Sequence, residues 1–436
     1  MKTLCFASLL ALASCAGPSD RAASGTGPIR VSPNGRHFVD SSGAPFFWLG
    51  DTAWKLFEKV TLAEAELYLE DRRRKGFTVV QAVCGGSDTA TGFPNLEGHK
   101  PWVNDNPATP NEAYFRNVDA IVTLAREKGI VVGMLPSWGW CVVQKPNTLN
   151  LKNARVYGKW LGTRYRTAPN LIWIVGGDVV PPGYEPVFRE VAAGLKEGDG
   201  GAHIMTYHPP GGSPSSSQWF HNEPWLDFNM LQTWDRYSDI YSRVYADYRK
   251  TPAKPTGLGE GAYEDGPQYP TKPIDALAIR RQAYWSYLAG GYHTYGNTNV
   301  WNFGTAQDKK EVTQDWKKAL DSAGARHLQV LKKIFLSQPW WKLVPDPSLF
   351  SGAEKIPNAG MVSADGDRIL AYFASAGSAS IPLTKIASAK EVDARWINPT
   401  DTEETPIGRF PTSGAASFTT PAGWSDALLL LQAVVK

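Results

Sequence analysis

The sequence predicts a (β/α)8 barrel followed by a small β-sandwich, on three observations. Short apolar runs alternate with amphipathic stretches about eight times within roughly 250 residues, the span of such a barrel. No Gly-x-Gly-x-x-Gly follows the first apolar run, which argues against an open, dinucleotide-binding sheet. Beyond about Pro339 the helical periodicity ends, and short alternating runs separated by Gly, Pro, Asn and Asp take over. The predicted layout is a leader at 1–15, a tether at 16–27, the barrel at 28–338 and the sandwich at 339–436.

The leader reads as a processing signal. Lys2 precedes the apolar Leu4–Leu12, and Leu12-Ala13-Ser14-Cys15 has the form of a bacterial lipobox, cut before Cys15 with the thiol lipidated. An ordinary secretory signal cut nearby is the alternative, and the apolar run is too short for a stable membrane span. The expectation is a chain lipid-anchored through Cys15 in the bacterial cell envelope. The Ala-, Gly- and Ser-rich stretch Ala16–Gly27 reads as a flexible tether. Cys84 and Cys141 would then be the remaining thiols, too few for a disulfide framework.

Ile29–Asp40, with turn residues Ser41-Ser42-Gly43, predicts a hairpin ahead of the barrel. Phe46–Asp51 is the first buried strand. Thr61–Lys75 is the first helix, opened by a capping box of Thr61 and Glu64. The strands that follow are Phe77–Val83, Ile130–Leu135, Leu171–Val175, Ala202–Tyr207, Phe228–Thr233, Pro255–Glu260 and Gly291–Tyr295. Helices are predicted over Asn111–Lys128, Ala154–Thr167, Pro186–Glu197, Tyr237–Arg249 and Ile274–Leu288. The sandwich strands are Arg368–Phe373, Ser380–Leu383, Glu391–Ile397, Ala416–Thr419 and Asp426–Leu431.

Lys and Arg total 45 against 42 for Asp and Glu, a formal charge of +3 without long runs of one sign, so nothing points to nucleic acid. Aromatics are 12% of the chain, with 17 Trp and 17 Tyr, which suits both a large core and stacking platforms for sugar rings. Two carboxylates stand at strand ends: Asp178 after the fourth and Glu260 on the seventh. Active sites of such barrels gather there, so the pair should face one another across the mouth. Two carboxyls flanking a bond are what glycoside hydrolysis needs. The glycines beside each acid, Gly176-Gly177 and Gly259/Gly261, should clear room for substrate to approach.

Asp51, Trp54, Trp138, His208, Gln232, His293 and Tyr295 lie at or just past strand ends and are candidate substrate-binding residues; a role in the core is the competing reading for each. Asp88, Trp102, Asn104 and Asp105 mark the long loop after the second strand. Glu264 is the rival nucleophile, expected out in the loop, and Asp227 should point to the wrong end. His203, His208 and His221 form no close metal-binding pair, so no metal or other cofactor is expected. No Gly-x-Ser-x-Gly elbow is present either.

Several blocks in order carry a family resemblance: Trp48-Leu49-Gly50-Asp51-Thr52-Ala53-Trp54, Leu135-Pro136-Ser137-Trp138-Gly139, Ile172–Asp178, Thr206-Tyr207-His208-Pro209, Trp225–Gln232, Gly259-Glu260 with Tyr263-Glu264, and His293-Thr294-Tyr295-Gly296. By these the chain, from about Ile29 onward, resembles the apiosidase-like glycoside hydrolases (glycoside hydrolase family 140 and relatives), clan-A-type barrels followed by a module named for collagen binding. The resemblance implies Asp178 as acid/base and Glu260 as nucleophile. It also implies an exo-acting, retaining enzyme that releases apiose or a similar side-chain sugar from a pectic-type polysaccharide. Two departures concern the surroundings. Leu258-Gly259-Glu260-Gly261 stands where the family commonly has Asp-Gly-Glu-Pro, and Trp140 and Asn297 stand where relatives carry a second histidine and a charged residue. An endo-acting hydrolase of a backbone polysaccharide and a non-catalytic glycan-binding lipoprotein are the alternative functions. The expected partner is an oligosaccharide or polysaccharide, with membrane contact only through the anchor and a monomer favoured.

Overall fold

The computed structural model describes residues 27–434 except 87–89, 306–307, 309–311 and 351–355. The lipobox with Cys15, nearly all of the tether and Asp88 lie outside the described residues. Eight parallel strands form the barrel: β1 (Leu49–Thr52), β2 (Val79–Val83), β3 (Val131–Leu135), β4 (Leu171–Gly176), β5 (Met205–His208), β6 (Leu231–Gln232), β7 (Gly257–Glu260) and β8 (Tyr292–Tyr295). Neighbours in sequence pair except β5 and β6, and β8 pairs with β1.

The β5–β6 junction lacks a ladder. There Asp227 N–H donates to Met205 O (2.8 Å), Met205 N–H donates to the Asp227 carboxylate (2.8 Å), and Thr206 Oγ1 donates to Phe228 O (2.6 Å). β6 is shorter than the predicted Phe228–Thr233 because Met230 exchanges hydrogen bonds with Ser216 instead of a strand. Asp227 thus holds the barrel together on the side away from the mouth, also accepting from Lys196 Nζ.

Helices α1 (Leu62–Arg74), α2 (Glu112–Glu127), α3 (Ala154–Tyr165), α4 (Glu185–Asp199), α5 (Ile240–Tyr248), α6 (Ala276–Leu288) and α7 (Ala323–Leu336) ring the strands. The predicted capping box at Thr61 and Glu64 is present, and it satisfies amide donors that the first turn of α1 leaves open. The sequence reading had no counterpart for α7. Strand residues alternate cleanly. Trp48, Val79, Val131, Ile172, Ile174 and Tyr292 fill the barrel interior, whereas Leu49, Val80, Val132, Trp173, Met205 and Leu258 pack against helices.

The predicted hairpin forms three short strands, Arg30–Val31, Phe38–Val39 and Pro45–Phe46. It plugs the floor of the barrel: the Phe38 ring lies 5.2 Å from Trp48, 5.2 Å from Phe228 and 5.6 Å from Tyr292, all at strand starts.

The C-terminal part is antiparallel. Six strands, ordered Leu343–Pro345, Ala359–Ser363, Arg368–Phe373, Ala427–Ala433, Glu391–Ile397 and Glu404–Pro411, form one sheet, and Ser378–Pro382 pairs with Ala415–Thr419 in a second. One face of the large sheet builds its own core around Ile369, Phe373, Trp396 and Leu429. The other face, with Leu370, Tyr372, Leu428 and Leu430, joins the core of α6 and α7. There Tyr372 stacks on Tyr284 at 4.4 Å, and the Arg280 guanidinium is gripped through two nitrogens by the buried Asp426 carboxylate at 2.9 and 2.6 Å.

Candidate active site

Asp178 stands on a turn shaped by the two glycines before it. Gly176 (φ 94°), Gly177 (φ 113°) and Asp178 (φ 52°) are three successive positive-φ residues, a path that strongly favours glycine. The turn is tied to both neighbouring strands, since Gly177 N–H donates to His208 O (3.0 Å) and Gly177 O accepts from Gly139 N–H (3.1 Å). The glycines do not leave room for substrate, contrary to the sequence expectation. A Cβ on Gly176 would sit 2.6 Å from the Tyr207 ring, and one on Gly177 would sit 2.8 Å from the Trp138 ring. Their role is backbone shape and the seating of those aromatics.

Glu260 reaches the mouth by a different device. Leu258 pairs with Leu231 and Glu260 with Gln232, so β7 spends two residues against one of β6. Leu258 faces the helices, and in a regular strand Glu260 would share that outward face. The bulge turns it inward. Gly259 is the extra residue; a Cβ there would lie 2.3 Å from the Met230 side chain, and Gly261 is likewise hemmed in by Gln282. Gln81 reaches across the interior to donate to Gly259 O (2.7 Å), and Gln282 grips both the N–H and the C=O of Ala262.

The two acids meet. An oxygen of each, together with a ring nitrogen of His208, falls within a set of atoms no more than 4.8 Å apart. Among the described residues this is the cluster of His, Asp and Glu compact enough to hold a metal ion. Glu260 Oε1 accepts from the Tyr263 hydroxyl at 2.6 Å, and Oε2 lies 3.1 Å from His208 Nε2. Trp54 Nε1 donates to the Tyr263 oxygen (2.8 Å), completing a chain from the cavity wall to the carboxylate.

Around the acids is a cavity of about 220 Å³ walled by Trp54, Trp138, Trp140, Trp234, Tyr269 and Trp301, with Gln232 and Gln268 as amides. Gln232 Oε1 is buried without a hydrogen-bond partner among the described residues, an acceptor ready for a ligand hydroxyl. Trp54, Trp138 and His208 form an aromatic cluster with centroids 5.2 to 5.6 Å apart. At the rim Trp234 is 41% exposed and held at φ 52°.

Of the sequence candidates, Asp178, Glu260, Trp54, Trp138, His208 and Gln232 converge here. Asp51, His293 and Tyr295 do not, and alternation is the reason. Leu49 faces outward, so Asp51 does too, and His293 and Tyr295 pair with Leu49 and Asp51 in register. Asp51 accepts from Tyr68 (2.7 Å) and lies 3.4 Å from the Arg72 guanidinium; burial lifts its pKa to about 6 despite that charge. Tyr295 donates to Glu264 at 2.6 Å. Burial pushes the His293 pKa down to about 3, so the ring is neutral.

Glu264 is buried rather than out in the loop: it also accepts from Gly324 N–H (2.7 Å) at the start of α7. His203 bonds to Asp199 and Ala168 O, and His221 to Asn229 and Pro252 O, both away from the site. Cys84 and Cys141 are buried thiols not joined in a disulfide. Sequence reasoning passed over Tyr263, Trp234, Gln268, Tyr269 and Trp301 as site residues, because they sit in loops after the strands. The aromatic Tyr263 three residues past the acid was the available signal.

Residues 32–342 match the model of the apiosidase-like catalytic domain. The chain belongs to the apiosidase-like glycoside hydrolases. Residues 344–432 of this glycosidase match a family model named for the collagen-binding domain of a collagenase. Among solved structures, a protein titled glycoside hydrolase is 30% identical, with a TM-score of 0.87, covering 94% of this chain and 98% of its own. A glycoside hydrolase family 5 protein from Bacteroides vulgatus ATCC 8482 is also 30% identical, with a TM-score of 0.85 and 94% of both chains covered. The β-L-arabinopyranosidase of Geobacillus stearothermophilus, a family 27 enzyme, shares the fold at 12% identity, with a TM-score of 0.53 over 89% of this chain and 97% of its own. A comparison with curated protein sequences finds no significant match.

Proposed function

We propose that this apiosidase-like enzyme is an exo-acting, retaining glycosidase that removes a terminal side-chain sugar, apiose or a close relative, from a pectic-type polysaccharide. The observation that carries the reading is the closeness of the two carboxylates. Retaining enzymes hold theirs about 5 to 5.5 Å apart, and inverting enzymes about 6.5 to 9.5 Å apart to admit a water. One oxygen of each acid lies within 4.8 Å of the other, a closeness that favours the retaining arrangement.

In this reading Glu260 attacks the anomeric carbon while Asp178 protonates the departing glycosidic oxygen. Asp178 then removes a proton from the water that attacks the same carbon and frees Glu260. Tyr263 is a positioning residue: its hydrogen bond to Oε1 aims the other oxygen of Glu260. The small aromatic-walled cavity fits one sugar ring, which favours release of a terminal residue over cleavage within a long chain. Whatever leads out past Trp234 is then the leaving group.

Lipid anchoring at Cys15, with the barrel in the bacterial envelope, belongs to the same proposal. It rests on Leu12-Ala13-Ser14-Cys15. Mass spectrometry of the mature N-terminus should find acylated Cys15, and an unmodified terminus would overturn this part.

The test of function is incubation with a panel of pectic and hemicellulosic oligosaccharides, with the released sugars separated and the first-formed anomer read by NMR. A single monosaccharide released with retained configuration is expected. Oligomeric products would instead support an endo-acting enzyme, an inverted product would refute the carboxylate argument, and binding without release would favour a glycan-binding protein.

A further inference from the structure

A second cavity, about 330 Å³ and larger than the one at the mouth, opens on the floor of the barrel where the N-terminal hairpin meets the β-sandwich. Trp48, Thr256 and Tyr292 line it, all at strand starts, so it lies at the end of the barrel opposite Asp178 and Glu260. Packing defects in protein interiors seldom exceed the size of a water or two. A solvent-reachable hollow of this size is a candidate site.

Its chemistry is mixed rather than oily. Trp340 and Trp341 line it, edge to face at 6.1 Å, and Trp341 keeps 42% of its surface in water. Arg36 lines it as well, with its guanidinium carbon 4.1 Å from the Tyr248 ring centroid, donating to Tyr248 O. No carboxylate neutralises Arg36 among the described residues, whereas the other nearby cation, Lys342, is already held by Asp365 at 2.6 Å. His37, packed edge-on to Trp340 at 5.8 Å, has an Nδ1 that is buried without a hydrogen-bond partner among the described residues.

An exposed indole face, a guanidinium with unused donors and an unsatisfied ring nitrogen match distinct parts of one kind of ligand. A sugar ring offers an apolar face to the indole and hydroxyls to the imidazole. A carboxylate on that ring supplies the anion the guanidinium lacks, as a forked, charge-assisted pair. A purely apolar occupant would leave Arg36 and His37 Nδ1 unmet, at a desolvation cost.

We propose that this floor cavity is a non-catalytic binding site for an acidic, uronate-bearing oligosaccharide. It draws on the proposed pectic-type substrate only for plausibility of supply. Its location lets the enzyme hold an anionic backbone at one end of the barrel while the mouth is free to work on side chains.

The test is calorimetric titration of the full mature chain carrying Glu260→Gln, which suppresses turnover, with hexagalacturonate and, separately, with neutral xylohexaose. Hexagalacturonate should bind, and Trp341→Ala should weaken it about tenfold or more. Arg36→Gln should do the same and remove the salt dependence; unchanged thermal melts of both variants establish that the fold is intact. Unaltered affinity in Trp341→Ala, absence of binding, or equal binding of xylohexaose would each overturn the proposal. Binding is read directly, so failure of the oligosaccharide panel to release a sugar would sink the enzymatic reading without touching this one.

Discussion

His208 and Gln232 lie at strand C-termini as Asp51, His293 and Tyr295 do, yet His208 meets the two acids and Gln232 lines their cavity, while the other three are buried among helices. The difference is one step of strand alternation. Inward residues meet the acids and can meet substrate. Outward residues pair with one another and with α1 and the loop after β7: Asp51 with Tyr68 and Arg72, Tyr295 with Glu264. Position at a strand end is therefore a necessary signal of function in this fold but not a sufficient one, and parity supplies the rest.

The sharpest break between the two sets is expected at the acids. Glu260→Gln and Asp178→Asn should each lower kcat/KM by about 10²- to 10⁴-fold, the usual range for such groups, with thermal stability close to that of the parent. Steady-state kinetics beside thermal melts will read this; retention of more than a tenth of the rate in either variant would remove the pair from the mechanism. Next comes Gly177→Val, which forces a β-branched residue to φ 113° and drives its Cβ to 2.8 Å from the Trp138 ring. Strain and overpacking together should cost about 2 to 5 kcal/mol in urea unfolding, along with activity. Intact stability with lost activity would instead indicate that the glycine serves substrate access.

Tyr263→Phe removes the bond to Glu260 Oε1 and the acceptor for Trp54 Nε1, and kcat should fall about 10- to 100-fold with little change in melting temperature. The smallest effect tests the outward set. His293 has a folded pKa of about 3 against 6.5 for a free histidine, so the unfolded chain binds a proton that the folded chain refuses. Its contribution is full above pH 6.5 and is lost as pH falls toward 3, at about 1.4 kcal/mol per unit. His293→Phe should flatten the urea-derived stability profile by up to one proton in that window without altering kcat. An unchanged slope would mean that His293 is not the group that titrates.

How far the sequence could be read follows from the same geometry. The barrel strands were legible because runs such as Leu171–Val175 are buried on both faces and hence unbroken. That very burial erases the alternation that would have told inside from outside, which is why Asp51, His293 and Tyr295 were placed in the site. The bulge at Gly259 was hidden for a related reason: one glycine before an acid looks like clearance until the partner strand shows two residues opposed to one. The capping box of α1 was local and therefore read correctly. Loop residues such as Tyr263 and Trp301 carry no periodicity and were missed, and Glu404–Pro411, exposed along almost its whole length, lacks the apolar alternation of a strand.

The junction between barrel and β-sandwich has a consequence for how the molecule unfolds. Tyr284, Trp285 and Phe335 belong to the barrel's helices, yet their cover comes from Tyr372, Leu428 and Leu430, and Arg280 has its counter-ion in Asp426. Cutting the chain near Pro339 would bare that apolar surface and strand a buried guanidinium. The two parts are thus a single cooperative unit. Calorimetry should record one transition for the whole chain, and the barrel expressed alone should aggregate rather than fold, so the sandwich acts as a built-in half of the barrel's own core.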